Sequence, residues 1–369
     1  MPDPRVEKLA KLVVDYSTEV KAGDEVLIQS NILAKPFLRE LCREIVTRGA
    51  YPLIMLEEEE LRETFLKYAD KKVLEHVSPI EKFIMEKINV RIGVLASSHT
   101  KYLNTIDPER IRRFNAARFE LTDIFLRRSA TKELRWVVVA YPTKALAQEA
   151  GMSFLDYEDF VFKACGVYRD DPKKYWIERS KEQEKIANFL GKVSEIQVEG
   201  PDTKLYLRVD GRTWINDDGH ENMPGGEVFT GPVEDSIEGE IRFSYPAIWR
   251  GREVEDVKLK FRKGQVIEAK AVKGDEFLKE VLKTDDGAKR VGEFAFGLNY
   301  DIDRFTKNIL FDEKIGGTIH LALGASYPET GGTNKSAIHW DMILNMKTGK
   351  VYADGDLVYS NGKFILEVL

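Results

Sequence analysis

The sequence predicts an α/β N-terminal domain on a mostly parallel sheet, followed by a β-rich α+β C-terminal domain, with the change near residue 193. Three observations carry this. Up to about residue 193, short apolar runs alternate with segments of helical spacing. A long charged helix, Asp171 to Leu190, then ends at Gly191. Beyond it, apolar and polar residues alternate at period two between turns. Strands alternating with helices imply a parallel sheet covered on both faces, whereas period-two strands joined by turns imply antiparallel pairing. A chain of 369 residues accommodates two such domains, 1–193 and 194–369.

The elements follow in order. Val6 to Val20 has helical apolar spacing and is followed by the breaker Ala22-Gly23-Asp24 and the apolar run 25–30. A second helix, Phe37 to Thr47, leads through Gly49 to a strand at Tyr51–Leu56. The run Glu57 to Glu60 reads as the solvated start of a helix, because acidic side chains favour the positive end of the helix dipole. Asn89 to Ala96 and Arg135 to Tyr141 are further strands. In the second half, 195–200, Lys204 to Val209, Glu238 to Tyr245 and Val257 to Ala271 alternate as strands, and Asp275 to Leu282 is helical.

Composition excludes several functions. With 62 acidic and 56 basic residues intermixed, the net charge of -6 shows no basic stripe for nucleic acid. There is no run of 18 apolar residues, and the opening segment lacks the apolar stretch and cleavage site of a signal peptide. The expectation is a cytoplasmic protein without membrane partners. Cys42 and Cys165 stand alone in apolar contexts and read as reduced core residues. Neither a G-x-G-x-x-G nor a G-x-x-x-x-G-K-[ST] pattern follows a strand, so a nucleotide site is unsupported. Abundant charge with scarce glutamine is common in proteins of hot environments.

Chemistry concentrates in the second half. Residues 337–344 read as a strand, which turns His339 and Asp341 to one face and Trp340 and Met342 to the other. Imidazole plus carboxylate on one face suits a divalent metal, although the pair also reads as a simple hydrogen bond. His320 lies in an otherwise apolar strand and needs a partner, either a core hydrogen bond or a metal. Glu227 and Glu293 each follow glycine and precede apolar residues, which points to buried carboxylates that need pairing or a metal. Other motifs fail. His220-Glu221 opens like H-E-x-x-H but has Pro224 where the second histidine belongs, and Gly324-Ala-Ser-Tyr-Pro328 lacks the last glycine of a nucleophile elbow.

Longer motifs connect these residues. N-M-P-x-G-E-V-F-T-x-P at 222–232, G-E at 292–293, D-E at 312–313, H-L-A-L-G-x-x-Y at 320–327 and H-x-D-M at 339–342 resemble the thermophilic metalloaminopeptidase family of aminopeptidase T and aminopeptidase S. The resemblance spans the chain. It implies that Glu227, Glu293, His320, His339 and Asp341 bind two divalent ions (cobalt, zinc or magnesium) per chain. It also implies that Tyr327 and Glu313 act in catalysis, with Glu313 either a general base or a ligand. Peptides with free N-termini would be the substrates, and the protein would be a homodimer enclosing a cavity. A pair of ions supplies an activated water and polarises a carbonyl. The rival readings are a two-metal hydrolase of a non-peptide amide and a non-catalytic peptide- or metal-binding protein of the same fold.

Overall fold

The computed structural model describes residues 3–365, and the chain divides into two compact units. One comprises Met1–Tyr175 with Gly219–Pro224, the other Trp176–Asp218 with Gly225–Leu369. The division thus lies at the start of the long helix Pro172–Leu190, ahead of residue 193, and the short strand Asn222–Met223 returns to the first unit.

The first unit holds a five-stranded sheet in the order Tyr51–Leu56, Glu25–Ser30, Val90–Leu95, Arg135–Ala140, Asn222–Met223, with every neighbouring pair parallel. Helices connect the four longer strands. Their starts follow local chemistry: Asp3, Asp107, Thr143 and Ser153 cap helices through their side chains, and Ser78 forms a capping box with Glu81. The inner strands bury Val26, Ile28, Val90, Ile92, Val137 and Val139. The edge strand departs from the expected double covering, since Tyr51, Leu53, Ile54 and Leu56 are all exposed.

Three local expectations are corrected. The opening helix is α-helical only over Pro4–Leu12 and continues as a π turn, Val13–Ser17. The acidic run starts its helix at Glu59, whose carboxylate is not simply solvated: it accepts hydrogen bonds from Ser98 and Asn31. Cys165 is buried as expected, but Cys42 is only half-buried.

The second unit is antiparallel. Its larger sheet has eight strands, in the order Gln265–Lys270, Lys258–Arg262, Glu238–Arg242, Thr203–Arg208, Glu195–Gly200, Lys350–Ala353, Asp356–Ser360, Lys363–Phe364. The stretch Val257 to Ala271 is therefore a hairpin, turned at Lys263 and Gly264, which both take positive φ. The smaller sheet has five strands, in the order His339–Asn345, Thr318–Gly324, Val291–Gly297, Glu227–Thr230, Ile215–Asp217. One core joins the two sheets: Ile196, Val198, Leu205, Leu207 and Phe261 from the larger, and Phe294, Phe296, Leu321, Leu323, Trp340 and Met342 from the smaller. Each such side chain contributes about 1.5–3 kcal/mol on leaving water. No described helix is long and apolar enough to cross a membrane.

Candidate metal centre

Period two sorts the smaller sheet into two faces. On the core side stand Phe294, Phe296, Ile319, Leu321, Leu323, Trp340, Met342 and Leu344. The opposite face is set by register: Asp217 pairs with Glu227, Glu227 with Gly297, Ala295 with His320, Glu293 with Ala322, Ala322 with Asp341, and Gly324 with His339. Small residues (Ala295, Gly297, Ala322 and Gly324) therefore alternate with the polar ones and leave them room. A β-bulge between Val291 and Glu293 turns Glu293 onto this face.

Two glycines fix the approach. Gly226, just before Glu227, has φ of +124°, and a Cβ there would lie 2.5 Å from Asn299 Cβ. Gly324 has φ of +110°, and its Cβ would lie 2.1 Å from the Ile338 carbonyl oxygen. Only glycine tolerates both the conformation and the closeness.

All five residues read as ligands from the sequence are brought together. His320 Nε2 lies 3.0 Å from Glu293 Oε1 and 3.4 Å from Glu227 Oε2. His339 Nε2 lies 3.5 Å from Glu293 Oε2 and 3.6 Å from Asp341 Oδ1. His339 Nδ1 sits 2.9 Å from the Ala325 carbonyl oxygen, which accepts its hydrogen and leaves Nε2 for the carboxylates. His320 is wholly buried and has no such partner on Nδ1.

Among the described residues, three sets of donor atoms each lie within 4.8 Å of one another: Glu227, Glu293 and His320; Glu293, His339 and Asp341; Glu313, His320 and Asp341. Glu293, His320 and Asp341 each belong to two sets. Glu227 Oε2, Glu293 Oε2 and Asp341 Oδ1 are buried without a hydrogen-bond partner. Buried carboxylate oxygens left in this state are costly unless a cation meets them. The donor set of carboxylate oxygens and imidazole nitrogens fits a divalent ion such as zinc, cobalt or manganese.

Electrostatics support the fit. Burial drives Glu227 well above the usual carboxylate range, with Lys314 and His320 pulling it back. Glu313 is raised as well, again chiefly by burial. Burial pulls His320 down, but Glu293, Glu227 and Asp341 outweigh it and raise the imidazole to about 9. His339 likewise rises to about 10 against its burial, through Asp341, Glu293 and the Ala325 carbonyl. Asp341 is lowered: the charges of His339, His320 and Lys314 overcome its burial. Because ligands must be deprotonated to bind, metal binding at such a centre releases protons.

Tyr327 stands beyond the end of the His320 strand. Its ring centroid is 5.1 Å from that of His339 and 5.5 Å from that of Phe229. The residue is 43% exposed, yet desolvation of the phenol and the nearby carboxylates hold its pKa above the ordinary value, so it remains a hydrogen donor. Glu313 follows the short helix Ile309–Asp312 and contacts Lys314 Nζ.

Sequence reasoning missed two residues. Lys314 is fully buried, with Nζ 3.3 Å from Asp217 Oδ2 and 3.3 Å from Glu227 Oε1. Asp217 is buried opposite Glu227. His220 lies in the other unit, its ring 4.5 Å from that of Tyr16.

Known proteins share this architecture. The family described as Thermophilic metalloprotease (M29) matches residues 2–364. Aminopeptidase 2 of Geobacillus stearothermophilus is 26% identical, with 99% of each chain covered. Aminopeptidase AmpS of Bacillus subtilis is 25% identical, with 98% of each covered. Among solved structures, wild-type AmpT from Thermus thermophilus matches with a TM-score of 0.85 at 24% identity, covering 98% of this chain and 99% of the other. That structural likeness establishes the fold.

Proposed function

This chain belongs to the thermophilic metalloprotease family M29, and on that premise we propose that it is a two-metal aminopeptidase that removes residues from free peptide N-termini. The observation that carries the reading is the overlap of donor sets on one sheet face, with Glu293 common to two of them. The names of the relatives, aminopeptidases all, support the substrate class.

Glu227, Glu293 and His320 would hold one ion, and Glu293, His339 and Asp341 the other. Bound divalent ions supply Lewis acidity and an activated water. The remaining work falls to the chain. Ala325, through its carbonyl, orients His339 by accepting from Nδ1. Glu313, raised in pKa by burial, takes the proton of the attacking water and delivers it to the departing amine. Tyr327 donates its hydroxyl hydrogen to the oxyanion that develops on the substrate carbonyl. The ring of Phe229, packed against Tyr327, adds an apolar wall beside the centre.

We further propose a homodimer that works in the cytoplasm. The exposed apolar side chains of the edge strand Tyr51–Leu56 support association, since an open apolar edge invites pairing. The half-buried Cys42, a thiol in no disulfide, suits a reducing compartment.

The test is to strip the protein with chelator, reload it with zinc or cobalt, and offer aminoacyl-anilides beside simple non-peptide amides. Metal-dependent release from the aminoacyl-anilides alone is expected. Turnover of the simple amides instead would favour the non-peptide hydrolase.

A further inference from the structure

The buried lysine beside the candidate centre has no part in the chemistry above, and its surroundings are specific. Lys314 Nζ meets Asp217 Oδ2 and Glu227 Oε1 at 3.3 Å each and also contacts Glu313 Oε1, with the side chain fully buried. Burying an ammonium is expensive, so three carboxylate partners reflect a strong local requirement.

The two oxygens of Glu227 divide their work. Oε1 faces the ammonium. Oε2 faces His320 at 3.4 Å and is buried with no hydrogen-bond partner. The lysine is itself held by a fixed frame. Its backbone oxygen accepts from Asn299 N at 3.0 Å, and Gly316 N donates back to Asn299 O at 3.0 Å. The Asn299 side chain donates to Gly225 O, two residues before Glu227. On the other side, Asp312 accepts from Thr306 N and Oγ1 at 2.7 and 2.8 Å, pinning the turn that carries Lys314.

Charge points the same way. Asp217, Glu227, Glu293, Glu313 and Asp341 bring five carboxylates into one buried region. An ammonium among them offsets part of that negative charge in low dielectric.

We infer that Lys314 is a positioning residue for the metal centre: it holds Glu227 by Oε1, leaving Oε2 for an ion, and anchors Glu313 beside it. This inference rests on the ligand set assigned above, but not on the peptide substrate. It also predicts a sign. If the lysine acted only as a nearby positive charge, its removal would tighten cation binding. If it positions Glu227, removal loosens binding.

The experiment is calorimetric titration of zinc into chelator-stripped, full-length protein, with near-UV circular dichroism as the check on folding. Lys314→Met keeps most of the length of the side chain and removes its charge. A Lys314→Met/Asp217→Asn double variant removes one charge of each sign and protects the fold against unpaired carboxylates. Both variants are expected to bind zinc at least about tenfold more weakly than the parent, the lower end for loss of a group that orients a ligand. The unfolding temperature is a separate readout: a merely structural lysine lowers it while the folded variant keeps the parent zinc affinity. Parent-like or tighter binding in a folded variant overturns the inference and leaves the ligand set standing. A parent that binds no zinc overturns both.

Discussion

His320 Nε2 lies 3.0 Å from Glu293 Oε1, across two neighbouring strands and on the face turned away from the core. Glu293 also lies 3.5 Å from His339 Nε2 through its other oxygen, so one carboxylate addresses both imidazoles. Glu293→Gln keeps the shape and removes the shared charge. We expect it to lower bound metal further than Glu227→Gln, with at least about a hundredfold loss of affinity. Elemental analysis of the two variants after identical loading checks the order. Equal, undiminished occupancy would falsify the shared role.

Tyr327 and Glu313 separate by substitution. Tyr327→Phe should keep the fold and the metal content while turnover falls ~10²–10³-fold, the usual cost of losing one donor to an oxyanion. Glu313→Gln should also keep metal if the residue moves a proton, and lose it if the residue is a ligand with His320 and Asp341. Steady-state kinetics with metal analysis on the same samples decides both. Parent-like turnover in Tyr327→Phe leaves the tyrosine only its packing against Phe229.

Stability of the metal-free protein should fall as pH rises. His320 and His339 have folded pKa values of about 9 and about 10 against an ordinary 6.5. Folding therefore favours their protonated forms. Their contribution is complete below about pH 6.5 and is lost as pH climbs through 9 and 10. Glu227, also raised, acts in the same direction from lower pH. Thermal unfolding in excess chelator between pH 6 and 10 measures this slope. Zinc loading should reverse it, because the ion needs the deprotonated ligands. A chelated protein equally stable at both ends of that range contradicts the assignment of the charged cluster.

The reverse face of the same sheet sets the price of the centre's rigidity. Trp340 is 1% exposed, between His339 and Asp341 in sequence, with its ring 6.0 Å from Trp249. Trp340→Ala should destabilise by ~3–5 kcal/mol. It should also raise the metal concentration needed for half occupancy, since the proposed ligands His339 and Asp341 flank it on the same strand. Denaturant unfolding of the loaded and stripped variant reports both effects.

Much of this was legible in the sequence because period two is a local property. The strand around His339 and Asp341 announced its polar face, and the glycines before Glu227 and Glu293 marked carboxylates in close quarters. Lys314 and Asp217 were not legible. The D-E motif pointed to Glu313, but nothing local marks the next residue, Lys314, as buried, and only the pairing of Asp217 with Glu227 brings that distant strand beside it. The hairpin inside Val257 to Ala271 was hidden for a related reason: Lys263 takes a positive φ that its residue type does not advertise. The open edge at Tyr51–Leu56 follows from strand order, and Pro52, which has no N–H to give to a ladder, was the local signal for it.

The most direct test of the central claim is digestion of one short peptide in free and N-acetylated forms by chelator-stripped and zinc- or cobalt-loaded protein, with products read by mass spectrometry. The account predicts stepwise loss of N-terminal residues from the free peptide by the loaded protein alone, and no cleavage of the acetylated one. Internal cleavage of the blocked peptide, or equal cleavage by the stripped protein, would contradict it.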